Sequence, residues 1–282
     1  MRIALAIICH QRQAELEVAL ASAAAEVFDE VVVADMASAP ALTVPQDVRL
    51  VRSERNLGVA GGRNRLVAET TADVVVFMDD DAVLAPGARE RVAARFAGDP
   101  RLGLVAFRIE RPEGIERWEQ PFRPGFAIPD APTPCAYFVG AGHAVRRSAY
   151  LEAGGYDERL FYATQEQDLA FKLLRCGWQL EYDPAVRVEH RPSPKGRAPA
   201  SNLPAMLLHD RLLVTRTHLP APVAALHSTI WAGLTLRDAA RVGGLGHWRR
   251  GLGAGLRAPV DRRPLAWRTV REVHRRGGRA LY

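Results

Sequence analysis

The chain has 282 residues, of which 48% are hydrophobic and 25% are charged. This composition excludes a largely disordered protein and is sufficient for one sizeable core, alone or with a smaller appendage. The three cysteines, Cys9, Cys135 and Cys176, lack the spacing of a disulfide framework or a zinc site, as is typical of proteins in a reducing cytosol.

The formal charge of +6 is unevenly distributed along the chain. Residues 201–282 contain 14 arginines and 4 acidic residues, a net charge of +10, which leaves −4 for the rest of the chain. A basic segment of this kind suits contact with phosphate groups or with a membrane surface. A GC-rich source, whose codons favour arginine and alanine, would produce the same composition without a functional reason.

The first residues do not resemble a secretory signal peptide, because they carry one early charge and run into a polar turn. The longest apolar stretch, residues 223–236, is interrupted by His227 and is too short to cross a bilayer. We therefore expect a soluble, cytoplasmic protein. Contact of the basic segment with the inner face of the membrane is an additional hypothesis.

The first hundred residues alternate short apolar runs with helical stretches. β-Branched runs predict strands at 2–9, 30–34, 48–52 and 74–78. The segments between and after them predict helices at 14–27, 59–70 and 86–96. Apolar strands separated by helices are typical of a parallel sheet that is covered on both faces, and such sheets bind ligands beyond the carboxyl ends of their strands.

Polar residues follow each of these four predicted strands. They are His10, Gln11 and Arg12 after the first, Asp35 after the second, residues 56–64 after the third and Asp79–Asp81 after the fourth. Because the carboxyl ends of parallel strands meet at one edge of the sheet, these four sets of residues define a cleft.

The second half of the chain is less regular. A strand predicted at 103–109 precedes a proline-rich stretch at 110–134, whose length indicates a functional or mobile loop. Further elements are predicted as helices at 147–153 and 165–176 and as strands at 179–182 and 186–190. After Pro192 the composition shifts to Pro, Gly and Arg, which indicates a linker followed by more helices.

The three aspartates that close the strand at 74–78 predict a metal site. Buried carboxylates are unfavourable without a partner, and a divalent cation such as Mg²⁺ or Mn²⁺, shared with phosphate oxygens, would provide one. The alternative is a helix N-cap, because Asp81 precedes Ala82 and Pro86. His190 also closes a strand, and its imidazole suits either a third metal ligand or a purely structural role.

The glycine-rich segment NLGVAGGRN, residues 56–64, has the spacing of neither a Walker loop nor a dinucleotide-binding loop. Its glycines would let the backbone approach an anion at a helix N-terminus, although a plain strand-to-helix turn also explains them. Asp35 suits a hydrogen bond to a base or ribose, or a solvated loop. Residues 165–168 form a polar cluster at a helix start, where one carboxylate is an ordinary partner of the helix dipole.

Four motifs in this order resemble the family-2 glycosyltransferases of the GT-A fold, particularly their bacterial rhamnosyltransferase-like branch. The motifs are ERNLGVAGGRN (54–64), VVVFMDDDAVL (74–84), FVGAGHAVRRSAYLEAGGYDERLF (138–161) and QEQDLAFKLLRCGWQLEYDPAVRVEH (165–190). The resemblance covers residues 1–220 and implies a mostly parallel α/β sheet flanked by helices. It implies a catalytic domain at 1–200, with a nucleotide-sugar half at 1–105 and an acceptor half at 106–200, and an Arg-rich helical extension at 201–282.

The resemblance also implies roles for individual residues. Asp79 and Asp81 would hold Mg²⁺ or Mn²⁺ against the donor diphosphate, with His190 completing the metal site. Donor contacts are implied at His10, Arg12, Asp35, Asn56, Gly58, Gly62, Asn64 and Asp80, and an acceptor side at Gly140, Ala141, Gly142 and Gln165. The family's usual Glu-Asp-x-Asp-Leu reads Gln165-Glu166-Gln167-Asp168-Leu169 here, which places Glu166 as the general base and Asp168 as the second candidate.

The implied activity is an inverting transfer of a sugar from a nucleoside-diphosphate-sugar to a hydroxyl of a polysaccharide, a lipid-linked glycan or a natural product. A nucleotidyltransferase acting on sugar phosphates would usually carry a basic glycine-rich signature after the first strand, where HQRQAE (10–15) stands instead. A non-catalytic nucleotide-sugar-binding protein would leave the acidic residues idle. The basic segment lacks the patterns of nucleic-acid binders. Its helices, with Trp231, Trp248 and Trp267, suit a membrane interface, packing on the catalytic body or a homo-oligomer.

Overall fold

The computed structural model describes residues 1–161, 163–195 and 198–278. Within them the strands are β1 (Ile3–Cys9), β2 (Glu30–Met36), β3 (Arg49–Ser53), β4 (Val74–Asp79), β5 (Ala82–Leu84), β6 (Leu102–Glu110), β7 (Thr133–Pro134), β8 (Gly142–Arg146) and β9 (Gln179–His190). The α-helices are α1 (Gln13–Ala23), α2 (Gly58–Ala68), α3 (Ala88–Gly98), α4 (Arg147–Ala153), α5 (Gln165–Arg175), α6 (Leu203–His218), α7 (Ala221–Arg241), α8 (Leu245–Arg257) and α9 (Trp267–Arg275).

The strands form one mixed sheet in the order β3-β2-β1-β4-β8-β6-β9-β5, and β7 pairs with β9. Strands β1 to β4 are parallel, as their sequence pattern predicts. Strand β8 runs antiparallel to both β4 and β6, and β9 is parallel to β6. The predicted α/β sheet flanked by helices is confirmed, and its parallel part is the half that the first hundred residues build.

Helices cover both faces of this sheet because its central strands are apolar on both sides. Along β4, Val74, Val76 and Met78 join one buried cluster, which also contains residues of α1 and α3. Val75 and Phe77 point to the other face and pack with residues of α2, α4 and α5. This double burial fixes the sheet in place and leaves the carboxyl ends of β1 and β4 as the free polar edge.

Several predicted boundaries shift for local reasons. The first helix ends at Ala23, because residues 24–26 form a 3-10 turn and Val27 takes a left-handed backbone conformation. The two strands predicted at 179–182 and 186–190 are a single strand, β9, with a register shift opposite Phe107 and Arg108. The proline-rich stretch 110–134 contains a 3-10 turn at 117–119 and ends in β7.

The basic carboxyl-terminal segment packs against the body of the protein, residues 1–200. Leu213 and Val214 of α6, with residues of α7 and α9, share one buried cluster with Leu160 and Phe171 of the body. At α9, the carbonyl of Gly277 accepts a hydrogen bond of 2.7 Å from the backbone N–H of Arg123 in the proline-rich stretch. The predicted helical extension is present up to residue 278, and residues 279–282 lie outside the described part.

The helices of the extension are too short or too polar to be membrane spans. Of the helices in the described residues, none is long and apolar enough to cross a bilayer.

Candidate active site

The polar edge of the sheet opens into a cavity of about 720 Å³. Eleven of the residues singled out from the sequence line it, namely His10, Arg12, Asn56, Gly58, Asp79, Asp80, Asp81, Gly140, Gln165, Glu166 and His190. The other six, Asp35, Gly62, Asn64, Ala141, Gly142 and Asp168, are among the described residues but do not line this cavity. The cavity therefore joins the acidic end of β4 to the start of α5.

The acidic residues after β4 meet His190 because of how β5 pairs with β9. The short strand β5 follows Asp81 directly, and its first residue, Ala82, lies opposite His190 in the antiparallel register. One ligand atom from each of Asp79, Asp81 and His190 lies within 4.8 Å of the others. Two carboxylates and an imidazole at this separation form a donor set that suits Mn²⁺ or Mg²⁺.

His190 is oriented by a residue that the sequence analysis did not select. Its Nδ1 lies 3.0 Å from Oε1 of Glu119, and its Nε2 lies 3.3 Å from Oδ1 of Asp81. Burial lowers the pKa of His190, but the contacts with Asp81 and Glu119 raise it by more, to about 10. A carboxylate on one ring nitrogen, with the other nitrogen facing the aspartates, is the arrangement that orients histidine ligands of metals.

Arg12 is paired with the same acidic cluster. Its Nη1 lies 2.8 Å from Oδ1 of Asp80 and 3.1 Å from Oδ2 of Asp81. Burial raises the pKa of Asp80 to about 6, although Arg12 opposes this shift. Arg12 also donates to the backbone carbonyl of Lys195 at 2.7 Å, and so it ties the segment after β9 to the floor of the cavity.

Three residues predicted to bind the donor lie outside the lining of this cavity and contact other parts of the protein. Asp35 is fully buried, forms an ion pair with Arg52 and accepts a hydrogen bond of 2.8 Å from the N–H of Ser38. Asn64 bonds both the N–H and the carbonyl of Tyr156, each at 3.0 Å. Gly62 lets α2 pack on β1, because an added Cβ would lie 2.9 Å from Cγ2 of Ile8.

Gly58 and His10 line the cavity beside Asn56. The side-chain oxygen of Asn56 accepts a hydrogen bond of 2.8 Å from the N–H of Gly58, the first residue of α2. Gly58 has a φ of +69°, and an added Cβ would lie 2.8 Å from the ring of Phe161. His10 donates to the carbonyl of Met36 at 2.6 Å. The predicted glycine-rich segment thus brings a helix N-terminus to the cavity.

Arg63 connects the acidic cluster to Glu166. It is 2% exposed, and its Nη2 donates to Oδ1 of Asp79 at 3.1 Å and to the carbonyl of Gly140 at 2.8 Å. Its Nη1 lies 3.4 Å from Oε1 of Glu166. The guanidinium also stacks over the rings of Phe77 and Tyr156, with centroid distances of 5.8 and 5.6 Å.

Glu166 and Asp168 lie in different surroundings although both are buried at the start of α5. Burial raises the pKa of Glu166, against the lowering effect of Arg63. Asp168 is paired with Nε2 of His218 and with Nζ of Lys172, both at 2.7 Å. Burial would raise the pKa of Asp168 as well, but these two partners outweigh burial and leave it lowered. Only Glu166 of these two carboxylates lines the cavity.

The backbone around Glu166 is held in close contacts. An added Cβ on Gly140 would lie 2.5 Å from Oε1 of Glu166, so any larger residue there would require this side chain to move. Gln165 donates from Nε2 to the same oxygen at 3.1 Å. Thr164, which precedes the helix, has a φ of +65°, a strained conformation for a β-branched residue of the kind found at functional sites.

Ala141 and Gly142 contact the strands that carry the site but do not line its cavity. The carbonyl of Ala141 accepts a hydrogen bond of 3.3 Å from the N–H of Asp79. Gly142 begins β8, where an added Cβ would lie 2.8 Å from Cγ2 of Val188 on β9. Both residues therefore position the end of β4 rather than face the cavity.

The extension contributes to the same cavity. Leu203, Met206, Leu207 and Arg211 of α6 are among its lining residues. The predicted division at residue 200 separates these residues from the catalytic domain, whereas in the structure they complete one wall of its cavity.

Comparison with known proteins gives related sequences. Residues 4–154 match the family described as Glycosyl transferase family 2. The chain is 26% identical over 230 residues to the N-acetylglucosaminyl-diphospho-decaprenol L-rhamnosyltransferase of Mycobacterium tuberculosis, an overlap covering 68% of this chain and 75% of that protein. It is 29% identical over 155 residues to the pre-mycofactocin glycosyltransferase of the same species, covering 51% of this chain and 32% of that protein.

Solved structures share the fold at low sequence identity. GalNAc-T7, crystallised with UDP, GalNAc and Mn²⁺, has a TM-score of 0.61 at 15% identity, over 91% of this chain and 57% of its own. The mannosyltransferase PcManGT of Pyrobaculum calidifontis, in complex with GDP-Man and Mn²⁺, has a TM-score of 0.55 at 19% identity. The match covers 92% of this chain and 76% of the PcManGT chain. These matches confirm the predicted GT-A fold.

Proposed function

Because residues 4–154 match its profile, the chain belongs to glycosyltransferase family 2, and we propose that it is a metal-dependent, inverting glycosyltransferase. Its substrates would be a nucleoside-diphosphate-sugar and an acceptor hydroxyl. The observation that carries this proposal is the single cavity that joins the cluster of Asp79, Asp81 and His190 to the buried Glu166. The cluster suits a metal ion that is bound to a diphosphate, and Glu166 suits a general base.

The donor would bind at the acidic edge and at the start of α2. Asp79, Asp81 and His190 would hold Mg²⁺ or Mn²⁺, which as a Lewis acid stabilises the negative charge that grows on the leaving diphosphate. The relatives GalNAc-T7 and PcManGT were both crystallised with Mn²⁺. The N-terminus of α2 at Gly58, beside His10 and Asn56, would contact the nucleotide through backbone N–H groups.

Glu166 would act as the general base. It takes the proton of the acceptor hydroxyl while the hydroxyl oxygen forms a bond to the anomeric carbon and the bond from that carbon to the phosphate oxygen breaks. One displacement from the opposite face inverts the anomeric configuration. The raised pKa of Glu166 supports the proposal, since a carboxylate of higher pKa is a stronger base. Asp168 is a weaker candidate because His218 and Lys172 already hold both its oxygens.

The first prediction concerns the donor and the metal. Thermal unfolding would be measured with a panel of nucleoside diphosphates, each with and without Mn²⁺. We expect one nucleotide to raise the melting temperature only when Mn²⁺ is present, because its diphosphate binds through the ion. Asp79→Asn should abolish this shift, whereas Asp73→Asn, a control remote from the cavity, should keep it. A shift of equal size without metal would contradict the metal site.

The second prediction concerns the base. Glu166→Gln keeps the shape of the side chain but cannot take a proton, so we expect kcat to fall by about 10²- to 10⁴-fold with little change in donor affinity. The matched control is Glu158→Gln, which does not line the cavity. Unchanged turnover of Glu166→Gln would remove this residue from the base role.

The same assays separate the two alternative functions. A glycosyltransferase releases a nucleoside diphosphate, whereas a nucleotidyltransferase acting on sugar phosphates would release pyrophosphate from a nucleoside triphosphate. A non-catalytic nucleotide-sugar-binding protein would show the thermal shift without turnover. The cytoplasmic location and the contact of the extension with a membrane stay predictions.

A further inference from the structure

One face of α6 presents apolar side chains to the cavity. Leu203, Met206 and Leu207 line it together with Arg211, and their spacing of three, four and eight residues from the first places them on one side of a helix. The neighbouring Leu208, which faces the core, is fully buried. The three lining side chains are only half-buried, so they expose apolar surface within the cavity.

This apolar face is held next to the proposed base. Arg211 donates from Nη1 to Oε1 of Gln167 at 3.1 Å, and Gln167 directly follows Glu166. The neighbouring Asp210 accepts a hydrogen bond of 2.9 Å from the N–H of Ala163, just before α5. Farther along α6, His218 donates to Asp168 at 2.7 Å. These contacts fix the Arg211 end of the face against the start of α5, where Glu166 lies.

A donor does not account for this surface. The acidic cluster and the start of α2 provide the polar groups that suit the diphosphate and the sugar of a donor, whereas Leu203, Met206 and Leu207 offer these parts no hydrogen bond. Apolar side chains that line a cavity are typical of a site whose ligand has an apolar part. The molecule next to the base is the acceptor.

We propose that Leu203, Met206 and Leu207 form the acceptor wall of this enzyme. The acceptor would then be amphipathic, with an apolar group adjoining the sugar or other group that carries the attacking hydroxyl. This inference rests on the proposed function and narrows its acceptor class. An alkyl or prenyl chain of a lipid-linked glycan and the aromatic part of a natural product both have the required chemistry.

The acceptor wall can be tested by comparing how well the enzyme uses acceptors with and without an apolar group. Glucose, galactose and N-acetylglucosamine would each be supplied free, as the octyl glycoside and as the phenyl glycoside, with the donor that the thermal-shift assay identifies. We expect kcat/KM for a glycoside to exceed that for its free sugar at least about tenfold, because the wall removes apolar groups from water. A preference for octyl indicates a lipid-linked acceptor, and a preference for phenyl indicates an aromatic one. Equal use of free and substituted sugars would overturn the proposal.

Variants of the wall provide the matched comparison. In Met206→Gln and Leu207→Gln we expect the ratio of glycoside to free-sugar kcat/KM to fall toward one. Leu226→Gln on α7, where the leucine is 56% exposed and away from the cavity, should keep the wild-type ratio. An unchanged ratio in both wall variants contradicts the proposal.

A binding measurement covers the case in which no sugar of the panel is glycosylated. Octyl glucoside, below its micelle concentration, would be titrated into the protein saturated with nucleotide and Mn²⁺. We expect it to bind the wild type and Leu226→Gln more tightly than Met206→Gln, and equal binding by all three would refute the wall. Loss of the nucleotide shift itself would instead count against the proposed function.

Discussion

At the scale of single residues, the site is organised by which carboxylates have cationic partners. Asp168 has two such partners, His218 and Lys172, whereas the cationic contact of Glu166 within the described residues is a long one of 3.4 Å with Arg63. Arg63 also touches Asp79, so one buried guanidinium contacts both the proposed base and a proposed metal ligand. We therefore consider Arg63 a positioning residue, which sets the distance and the charge balance between the two halves of the site.

Replacement of Arg63 by lysine tests this role. An ammonium group cannot bond Asp79, Gly140 and Glu166 together, as the planar fork does. We expect Arg63→Lys to lower kcat at least about tenfold. Because weaker contact with a cation raises the pKa of Glu166 further, the acid limb of the kcat profile should move to higher pH, since the base must be deprotonated to act.

Arg65→Lys is the matched control, because it lies on the same helix with its side chain 51% exposed. Its pH profile should coincide with that of the wild type. An unmoved acid limb in Arg63→Lys, with turnover lowered, would mean that Arg63 supports the fold without setting the charge of Glu166.

At the scale of elements, the sequence predicts the long buried strands best. Strands β1, β2, β3 and β4 appear within two residues of their predicted ends, because uninterrupted β-branched runs mark buried parallel strands. Strand β8 was not predicted as a strand, because GHAVR is short and contains a histidine. That residue, His143, is fully buried and packs against Phe77 and Phe138, which no local pattern shows.

Local sequence patterns are also insufficient to identify every residue of the candidate active site. The acidic residues after β4 can be found from sequence because they follow a strand directly. Arg63 and Glu119 cannot, because their partners Glu166 and His190 are distant in the chain and are brought near only by the folded sheet. From the sequence, Asp35 suits a hydrogen bond to a base or ribose as well as a solvated loop, and its ion pair with Arg52 is visible only in the structure.

The junction between the loop before β8 and α5 provides a test at the scale of elements. Gly140→Ala places a methyl group within 2.5 Å of the Glu166 carboxylate and 2.8 Å of Arg63, so these side chains must move. We expect turnover to fall at least about tenfold while the protein stays folded, because a displaced base is poorly aligned. Activity and thermal unfolding would be measured on the same preparation.

Gly98→Ala provides the control for this substitution. Gly98 ends α3, and an added Cβ there meets nothing within 4 Å. Full activity, with unchanged or slightly higher stability, is expected for this variant. Full activity of Gly140→Ala would show that Glu166 tolerates displacement and would count against a tightly positioned base.

At the scale of the whole molecule, body and extension share one buried cluster. Leu160 and Phe171 of the body are each 1% exposed because α6 and its neighbours cover them. A chain truncated at residue 200 would therefore expose core surface. Comparing the binding of truncated and full chains to liposomes would then report on this exposed core and not on membrane contact by the extension. Substitutions at exposed positions such as Leu226 and Leu256 in the full chain are the better probes, since both side chains are more than half exposed.

The shared core predicts cooperative unfolding. Leu213→Ala removes a side chain that is 1% exposed and should lower the free energy of unfolding by about 2–5 kcal/mol. Urea unfolding would be followed by circular dichroism and by tryptophan fluorescence, and we expect one transition with the same midpoint in both. Leu226→Ala should change stability by less than about 0.5 kcal/mol. Two separated transitions would mean that the extension folds as an independent domain.

The bond between Asp168 and His218 also has a consequence for synthesis on the ribosome. The nascent chain exposes the aspartates after β4 and the start of α5 before α6 has been made. Until α6 docks, Asp168 has no histidine partner and the cavity has no acceptor wall. The side of the cavity lined by α6 is therefore complete only after α6 has been synthesised. A chain that ends before α6 would lack this wall and would leave Leu160 and Phe171 without the α6 residues that pack on them.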